Sequence, residues 1–121
     1  ARQVVHHVAD SHLNSYVRFK WALTEETPTI KAYDEQAWAE LPDSANVSVE
    51  TSLGLLEALH ARWTGLLTAL SADDLKRSFV HPEPGDTVRL DTNVGIYAWH
   101  GQHHLEHVKL AGRLAVEKLA R

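Results

Sequence analysis

The sequence contains no cysteine among its 121 residues. A chain without cysteine forms no disulfide framework and offers no thiolate to a metal ion. Any metal that it binds is therefore held by nitrogen and oxygen ligands, which favours zinc, nickel, iron or manganese over cuprous copper. Because cysteine-free chains are common in reducing compartments, we also expect a cytoplasmic protein.

Long apolar runs and basic runs are missing too. No stretch approaches the ~20 apolar residues that span a bilayer, so we expect no membrane partner. Acidic and basic residues are interspersed and the formal net charge is −4, which argues against a nucleic-acid partner. Apolar residues make up 44% of the chain and charged residues 23%, the balance of an ordinary globular domain with one core.

Apolar residues recur at helical spacing in three long segments, at 1–26, 48–70 and 91–120. Before the last of these, residues 79–90 predict a small β-hairpin, since Pro82 and Gly85 supply a turn beside alternating apolar residues. The pattern predicts an all-α protein, a single domain folded as an up-down helical bundle with a small β-hairpin before the last helix.

The connection at 27–46 is long for a compact domain, and such connections often form lids or rims of functional sites. Within it, residues 34–41 predict a short helix capped by Asp34. Tyr33 and Trp38 are placed to pack over the mouth of a site or on the bundle surface, and the sequence alone favours the surface.

The first helix carries a polar stripe between two apolar ones, which is unusual for a helix on a protein surface. The polar stripe consists of His7, Asp10, Ser11, Asn14 and Arg18. It predicts side chains that line an internal cavity, and a narrow solvated face is the alternative. Because His6 points about 100° away from His7 on a helix, the stripe selects His7 rather than His6.

The last helix holds four histidines within eight residues, at His100, His103, His104 and His107. At about 100° per residue all four fall on its apolar face, where polar groups need partners. A His-x-x-x-His pair places two imidazoles one turn apart, so either the 100/104 or the 103/107 pair can grip one metal ion. Hydrogen-bonded core histidines are the alternative.

His60 follows Glu57 at the Glu-x-x-His spacing of di-iron bundles. Such a site also needs a second copy of the motif and two further glutamates, which the other helices do not supply. His60 is therefore interpreted as an ordinary helix residue.

The helical pattern is already running at residue 3, and no N-cap residue precedes it. The first helix also carries a second apolar group, the apolar flank, which consists of Leu13, Val17 and Trp21. Covering this flank takes a further helix. We therefore expect a domain over 1–121 that lacks its first helix, with a homodimer as one way to cover the flank.

Several motifs together resemble the YfiT-like branch of the DinB superfamily. They are the sixteen residues ARQVVHHVADSHLNSY at 1–16, LTEETP at 23–28, YDE at 33–35, and YAWH at 97–100 followed by two histidines at 103–104. The resemblance covers essentially the whole chain. It implies a four-helix bundle with one divalent metal ion per chain, zinc or nickel, held by three histidines. Carried over motif by motif, these ligands are His7, His100 and His104.

The same resemblance implies a metal-dependent hydrolase, or a thiol S-transferase that uses bacillithiol-like low-molecular-weight thiols, acting on a small-molecule substrate. On the polar stripe, Asp10 and Asn14 are candidates to orient a ligand histidine or take a proton. Arg18 is a candidate to hold an anionic group of the substrate. The alternative is a non-catalytic bundle stabilised by its metal, or a module that binds a small ligand.

Overall fold

The computed structural model describes residues 2–83 and 85–94. The elements are α1 (Arg2–Thr24), α2 (Glu35–Ala39), α3 (Pro42–Asn46), α4 (Val49–Thr68), α5 (Ala72–Leu75), β1 (Ser78–Val80) and β2 (Thr87–Arg89). Residues 90–94 are again helical. The predicted helical architecture with a small hairpin is confirmed. Within these residues no helix combines the length and the apolar character that crossing a membrane requires.

The core lies between α1 and α4. Tyr16 and Phe19 of α1 are buried against Trp63 of α4. The Tyr16 ring stacks on Trp63 with centroids 5.8 Å apart, and the Phe19 ring meets Trp63 edge-on at 5.9 Å. Aromatic pairs in these two geometries contribute beyond the area that they bury, so the three rings fix how α1 and α4 pack.

The hairpin closes one end of this core. Strands β1 and β2 pair antiparallel with Phe79 opposite Val88, and Gly85 in the turn takes a φ of 95° that suits glycine. Phe79 and Leu90 are buried in the same cluster as Tyr16. The hairpin therefore contributes to the main core and is more than a connection between helices.

The C-terminal end of α1 is completed by a distant residue. The last turn of α1 contains no basic side chain. Instead, the guanidinium of Arg77 donates from Nε to the carbonyl of Ala22 at 2.8 Å and from a terminal nitrogen to the carbonyl of Glu25 at 3.0 Å. Carbonyls at a helix end have no partner within the helix, so Arg77 supplies donors that the local sequence lacks.

The connection after α1 contains two short helices, where the sequence predicts one. Asp34 caps α2 as predicted, accepting the Ala37 N–H at 3.0 Å. Helix α3, which was not predicted, begins with Pro42 in its first turn and has no side-chain cap at Leu41. Proline at the first helical position is a recognised start signal, and here it marks α3.

The segment at 90–94 docks on α1. The amide of Asn93 donates to the hydroxyl of Ser15 at 3.0 Å, and both residues are buried. The helical conformation begins at 90, one residue before the start of the segment 91–120 that the sequence predicts. A buried polar contact therefore joins residues 90–94 to α1.

Candidate functional site

The polar stripe of α1 faces the connection that holds α2 and α3, and two cavities lie along it. The His7 cavity, of about 570 Å³, is lined by Gln3, Val4, His7, Glu35, Gln36, Ala39 and Glu40. The Arg18 cavity, of about 520 Å³, is lined by Leu13, Asn14, Val17, Arg18, Trp21, Lys31, Ala32, Tyr33, Asp34 and Trp38. The connection thus forms walls over the stripe, as its length suggests.

Neighbouring histidines of α1 differ in their surroundings. His6 is buried, with Nδ1 2.6 Å from the hydroxyl of Ser52 and Nε2 3.1 Å from the carbonyl of Val47. Since both of its ring nitrogens are engaged, His6 has no nitrogen to offer a metal ion. His7 is half-buried and lines the His7 cavity, in agreement with the choice that the stripe makes between the two.

His12 and His60 form a pair across the α1–α4 interface. His12 Nδ1 lies 2.7 Å from His60 Nε2, so one nitrogen donates a proton and the other accepts it. Partial burial of the ring lowers the pKa of His60. The sequence analysis interprets His60 as an ordinary helix residue, and its contact with His12 depends on how α1 and α4 pack.

Asp10 occupies the middle of the polar stripe, one turn after His7. Burial raises the pKa of the Asp10 carboxyl, the charge of Asp43 in α3 adds to the rise, and His7 and His6 act against it. Asn14 donates to the backbone carbonyl of Asp10 at 2.8 Å, so its amide is held by the helix itself. The Asp10 carboxyl is therefore a stronger proton acceptor than a fully solvated aspartate.

Arg18 lies at the base of the Arg18 cavity. It donates to the carbonyl of Lys31 at 2.9 Å, and its guanidinium carbon is 5.7 Å from the centroid of the Tyr33 ring. The rings of Tyr33 and Trp38 contact each other with centroids 4.7 Å apart. The sequence favours packing of these two rings on the bundle surface, but the structure places both in the wall of the Arg18 cavity.

Of the three predicted metal ligands, His7 lies within the described residues, and His100 and His104 lie outside them. Across 2–83 and 85–94, no group of three or more His, Cys, Asp or Glu residues is arranged to hold a metal ion. Asp10, Asn14 and Arg18 share the stripe with His7, but the last two line a different cavity from His7. The ligand set remains a prediction.

A mostly helical fold with a small hairpin and a cavity-lining polar stripe defines a class of helical-bundle proteins. Residues 1–108 match the DinB superfamily, and the chain belongs to this family. It resembles the structure of YfiT from Bacillus subtilis, described as a probable metal-dependent hydrolase with an unusual four-helix bundle topology. The TM-score is 0.87 and the identity 51%, covering 94% of this chain and 66% of that one.

Similar sequences carry a related description. A protein of Bacillus cereus, named as an inferred metal-dependent hydrolase, is 59% identical over 107 residues, which are 88% of this chain and 61% of that protein. A protein of Oceanobacillus iheyensis with the same kind of name is 58% identical over the same shares. The chain thus spans about three fifths of the length of these relatives.

Proposed function

We propose that this chain carries the metal centre of a metal-dependent hydrolase that acts on small molecules. The ligands of one zinc or nickel ion are His7, His100 and His104. Membership of the DinB superfamily and the names of the similar proteins support the activity. The choice of ligands is supported by the docking of residues 90–94 on α1.

The single observation that carries this choice is the buried hydrogen bond from Asn93 to Ser15. On a helix continuing from 90–94, positions 100 and 104 fall within about 20° of Asn93, whereas 103 and 107 fall about 80° and 40° away. Since Asn93 faces α1, the helix that the sequence predicts over 91–120 would direct the 100/104 pair at α1.

Distances along the two helices support the same pair. His7 precedes Ser15 by about 12 Å of helical rise, and positions 100 and 104 follow Asn93 by about 10 and 16 Å. Since His6 meets Ser52, His12 meets His60 and Tyr16 meets Trp63, α1 and α4 run parallel. We infer that the last helix runs antiparallel to both, and in that direction the two histidines bracket the level of His7.

The donor set suits a catalytic ion. Three neutral imidazoles leave one coordination position open, as in catalytic zinc sites, and a divalent ion held in this way lowers the pKa of a bound water to about 7. Half-burial of His7 combines partial desolvation with access from the His7 cavity. Asp10, with its raised pKa, holds or releases a proton one turn away.

Metal content tests the ligand set. Chain purified without chelator should contain about one divalent ion, at nitrogen distances near 2.0–2.1 Å. His7→Ala, His100→Ala and His104→Ala should each lose most of it, and His103→Ala and His107→Ala serve as matched controls from the same helix. Full occupancy in both His100→Ala and His104→Ala would refute the assignment. Loss in His103→Ala with retention in His104→Ala would show that the other pair binds.

Activity is tested on the metal-replete chain with ester and amide substrates, beside pairs of a low-molecular-weight thiol and an electrophile. Hydrolysis is the expected outcome, and turnover of the thiol pair alone would identify a thiol S-transferase. Asp10→Asn should keep most of the metal and lower turnover, because it removes the proton acceptor and leaves the ligands in place. Bound metal without turnover of any substrate would favour a non-catalytic metal-stabilised bundle.

A further inference from the structure

Arg18 is a buried cation with few partners. Its exposed fraction is 9%. A guanidinium has five N–H groups and stays charged at any physiological pH. Within the part of the chain that the structure describes, its one hydrogen bond is to the carbonyl of Lys31. None of its nitrogens is both fully buried and unpartnered, so the remaining N–H groups keep access to solvent and can donate to an acceptor in the cavity that Arg18 lines.

The Arg18 cavity has the size and lining of a small-molecule site. Its volume of about 520 Å³ lies within the ~300–1,000 Å³ typical of ligand pockets. Arg18 and Asn14 provide polar groups, and three aromatic residues line the same space, namely Trp21, Tyr33 and Trp38. Trp21 is 41% exposed and Trp38 is 36% exposed, so both rings retain surface that a ligand can cover.

The charges around the cavity suit a single negative charge. Arg18 and Lys31 are cationic, and Asp34 is anionic. The Asp34 carboxylate accepts the Ala37 N–H at the start of α2, which occupies it as a cap. Two positive charges and one negative charge leave a formal charge of +1. A planar guanidinium also matches a carboxylate through paired hydrogen bonds.

We propose that the Arg18 cavity binds a small molecule that has one carboxylate and an aromatic or otherwise apolar body. The carboxylate accepts hydrogen bonds from Arg18, and the apolar body lies against Trp21 and Trp38. The binding itself does not depend on the proposed hydrolase function. The further statement that this ligand is the substrate does rest on that function. The cavity extends along the stripe from Asn14, two turns after His7, so a ligand anchored at Arg18 lies on the same face of α1 as His7.

The test compares three probes that share a phenyl ring, of which the acid and the amide also share the linker. They are 3-phenylpropionate, its neutral amide 3-phenylpropanamide, and phenyl phosphate, and binding is followed by tryptophan fluorescence and by calorimetry. For so small a ligand, a dissociation constant on the order of 1 mM is expected for the carboxylate. The amide should bind at least about tenfold more weakly, because it cannot form the charge-assisted pair. Phenyl phosphate should also bind more weakly, because its second charge has no partner.

Variants locate the binding site. Arg18→Gln should weaken carboxylate binding by about tenfold or more and leave amide binding nearly unchanged. Trp38→Ala removes an exposed wall residue without touching the core, and it should weaken binding of both probes. Arg62→Gln removes an exposed cation from α4, so it is the charge-matched control and should bind like the wild type.

Several results would overturn the proposal. These are equal affinity for the carboxylate and the amide, tighter binding of phenyl phosphate, wild-type affinity in Arg18→Gln, or no binding of any probe at 10-fold the expected constant. If Arg18→Gln fails to fold, the acid–amide comparison and Trp38→Ala decide alone. Measuring His100→Ala separates the two proposals, since loss of metal should leave carboxylate binding intact.

Discussion

At the scale of single residues, the His12–His60 pair makes the stability of the fold depend on pH. The bond between His12 Nδ1 and His60 Nε2 requires that one of the two nitrogens is free of a proton. Burial lowers the pKa of His60 below its ordinary value of about 6.5. Between these two values the unfolded chain binds a proton that the folded chain does not, so stability falls as the pH falls through this window.

We therefore predict that wild-type chain loses stability between pH 7.5 and 5.5, and that His60→Gln flattens this dependence. The free energy of unfolding is measured by urea titration at both pH values, with chelator present so that metal release does not contribute. Glu57→Gln, an exposed change one turn earlier on α4, is the control and should keep the wild-type slope. Equal slopes in wild type and His60→Gln would contradict the prediction.

For Asp10 the dependence of the stability on pH has the opposite sign. Its pKa is raised in the folded state, chiefly by burial and then by Asp43. Above the ordinary pKa of about 3.9, the unfolded carboxyl gives up its proton before the folded one does. Wild-type stability is therefore lost as the pH rises through the window between the two values, and the penalty persists at neutral pH.

Replacing the carboxyl removes this penalty. We predict that Asp10→Asn has a higher free energy of unfolding than the wild type at pH 7, and that the difference narrows as the pH approaches about 4. Denaturant titrations across that range measure both. Asp43→Asn should recover part of the same gain, because it removes the repulsion and leaves the burial. A destabilised Asp10→Asn at pH 7 would instead show that the charge itself holds the fold.

At the scale of elements, the docking of 90–94 on α1 depends on one buried polar contact. Ser15→Ala removes the acceptor of the Asn93 amide and leaves that donor buried. We predict a loss of about 1–3 kcal/mol in the free energy of unfolding, measured by denaturant titration. Thr51→Ala, on the exposed side of α4, should change stability far less. A Ser15→Ala cost as small as that of Thr51→Ala would show that the contact does not order the segment.

Local sequence signals predicted the elements that have local causes. Asp34 was predicted as a cap, and it accepts a backbone N–H three residues ahead. Ser48 and Ser71 cap α4 and α5 in the same local way. Helix α3 was not predicted, because five residues are too few to show a periodic pattern, although Pro42 marks its start. The helical conformation begins at 90 instead of 91, and Leu90 is buried in the core through contacts that depend on tertiary packing.

The site was predictable only in part, for a similar reason. Helical periodicity separated His7 from His6, because direction around a helix follows from the sequence alone. It did not foresee that His6 meets Ser52 and Val47, or that His12 meets His60, since these contacts depend on how α1 and α4 pack. Likewise, the placement of Trp38 in the wall of the Arg18 cavity depends on the path of the connection.

At the scale of the whole molecule, the apolar flank of α1 is an exposed surface. Leu13, Val17 and Trp21 are 38%, 40% and 41% exposed. Removing such a surface from water favours association. We predict that this chain forms a homodimer, seen by sedimentation and light scattering, and that Leu13→Lys shifts it toward monomer.

The predicted homodimer can be refuted by experiment. A wild-type chain that stays monomeric and takes up no dye specific for apolar patches would remove the argument. A matched change on α4, Leu55→Lys, alters a leucine that is 44% exposed and lies outside the flank. If both lysine variants lower association equally, the interface extends beyond the flank. Since Leu13 and Val17 also line the Arg18 cavity, 3-phenylpropionate should itself favour the monomer.

The hydrogen bonds from Arg77 to the C-terminal end of α1 affect the order in which the chain folds. The two carbonyls that Arg77 binds lie 55 and 52 residues earlier in the sequence. As the chain is synthesised, α1 leaves the ribosome well before Arg77 is made, so we expect its last turn to stay frayed until Arg77 is in place. Completion of α1 is thus tied to a residue that is made more than 50 residues later. Stalled chains that end before Arg77 should show protected amides in the middle of α1 and rapid exchange at its end.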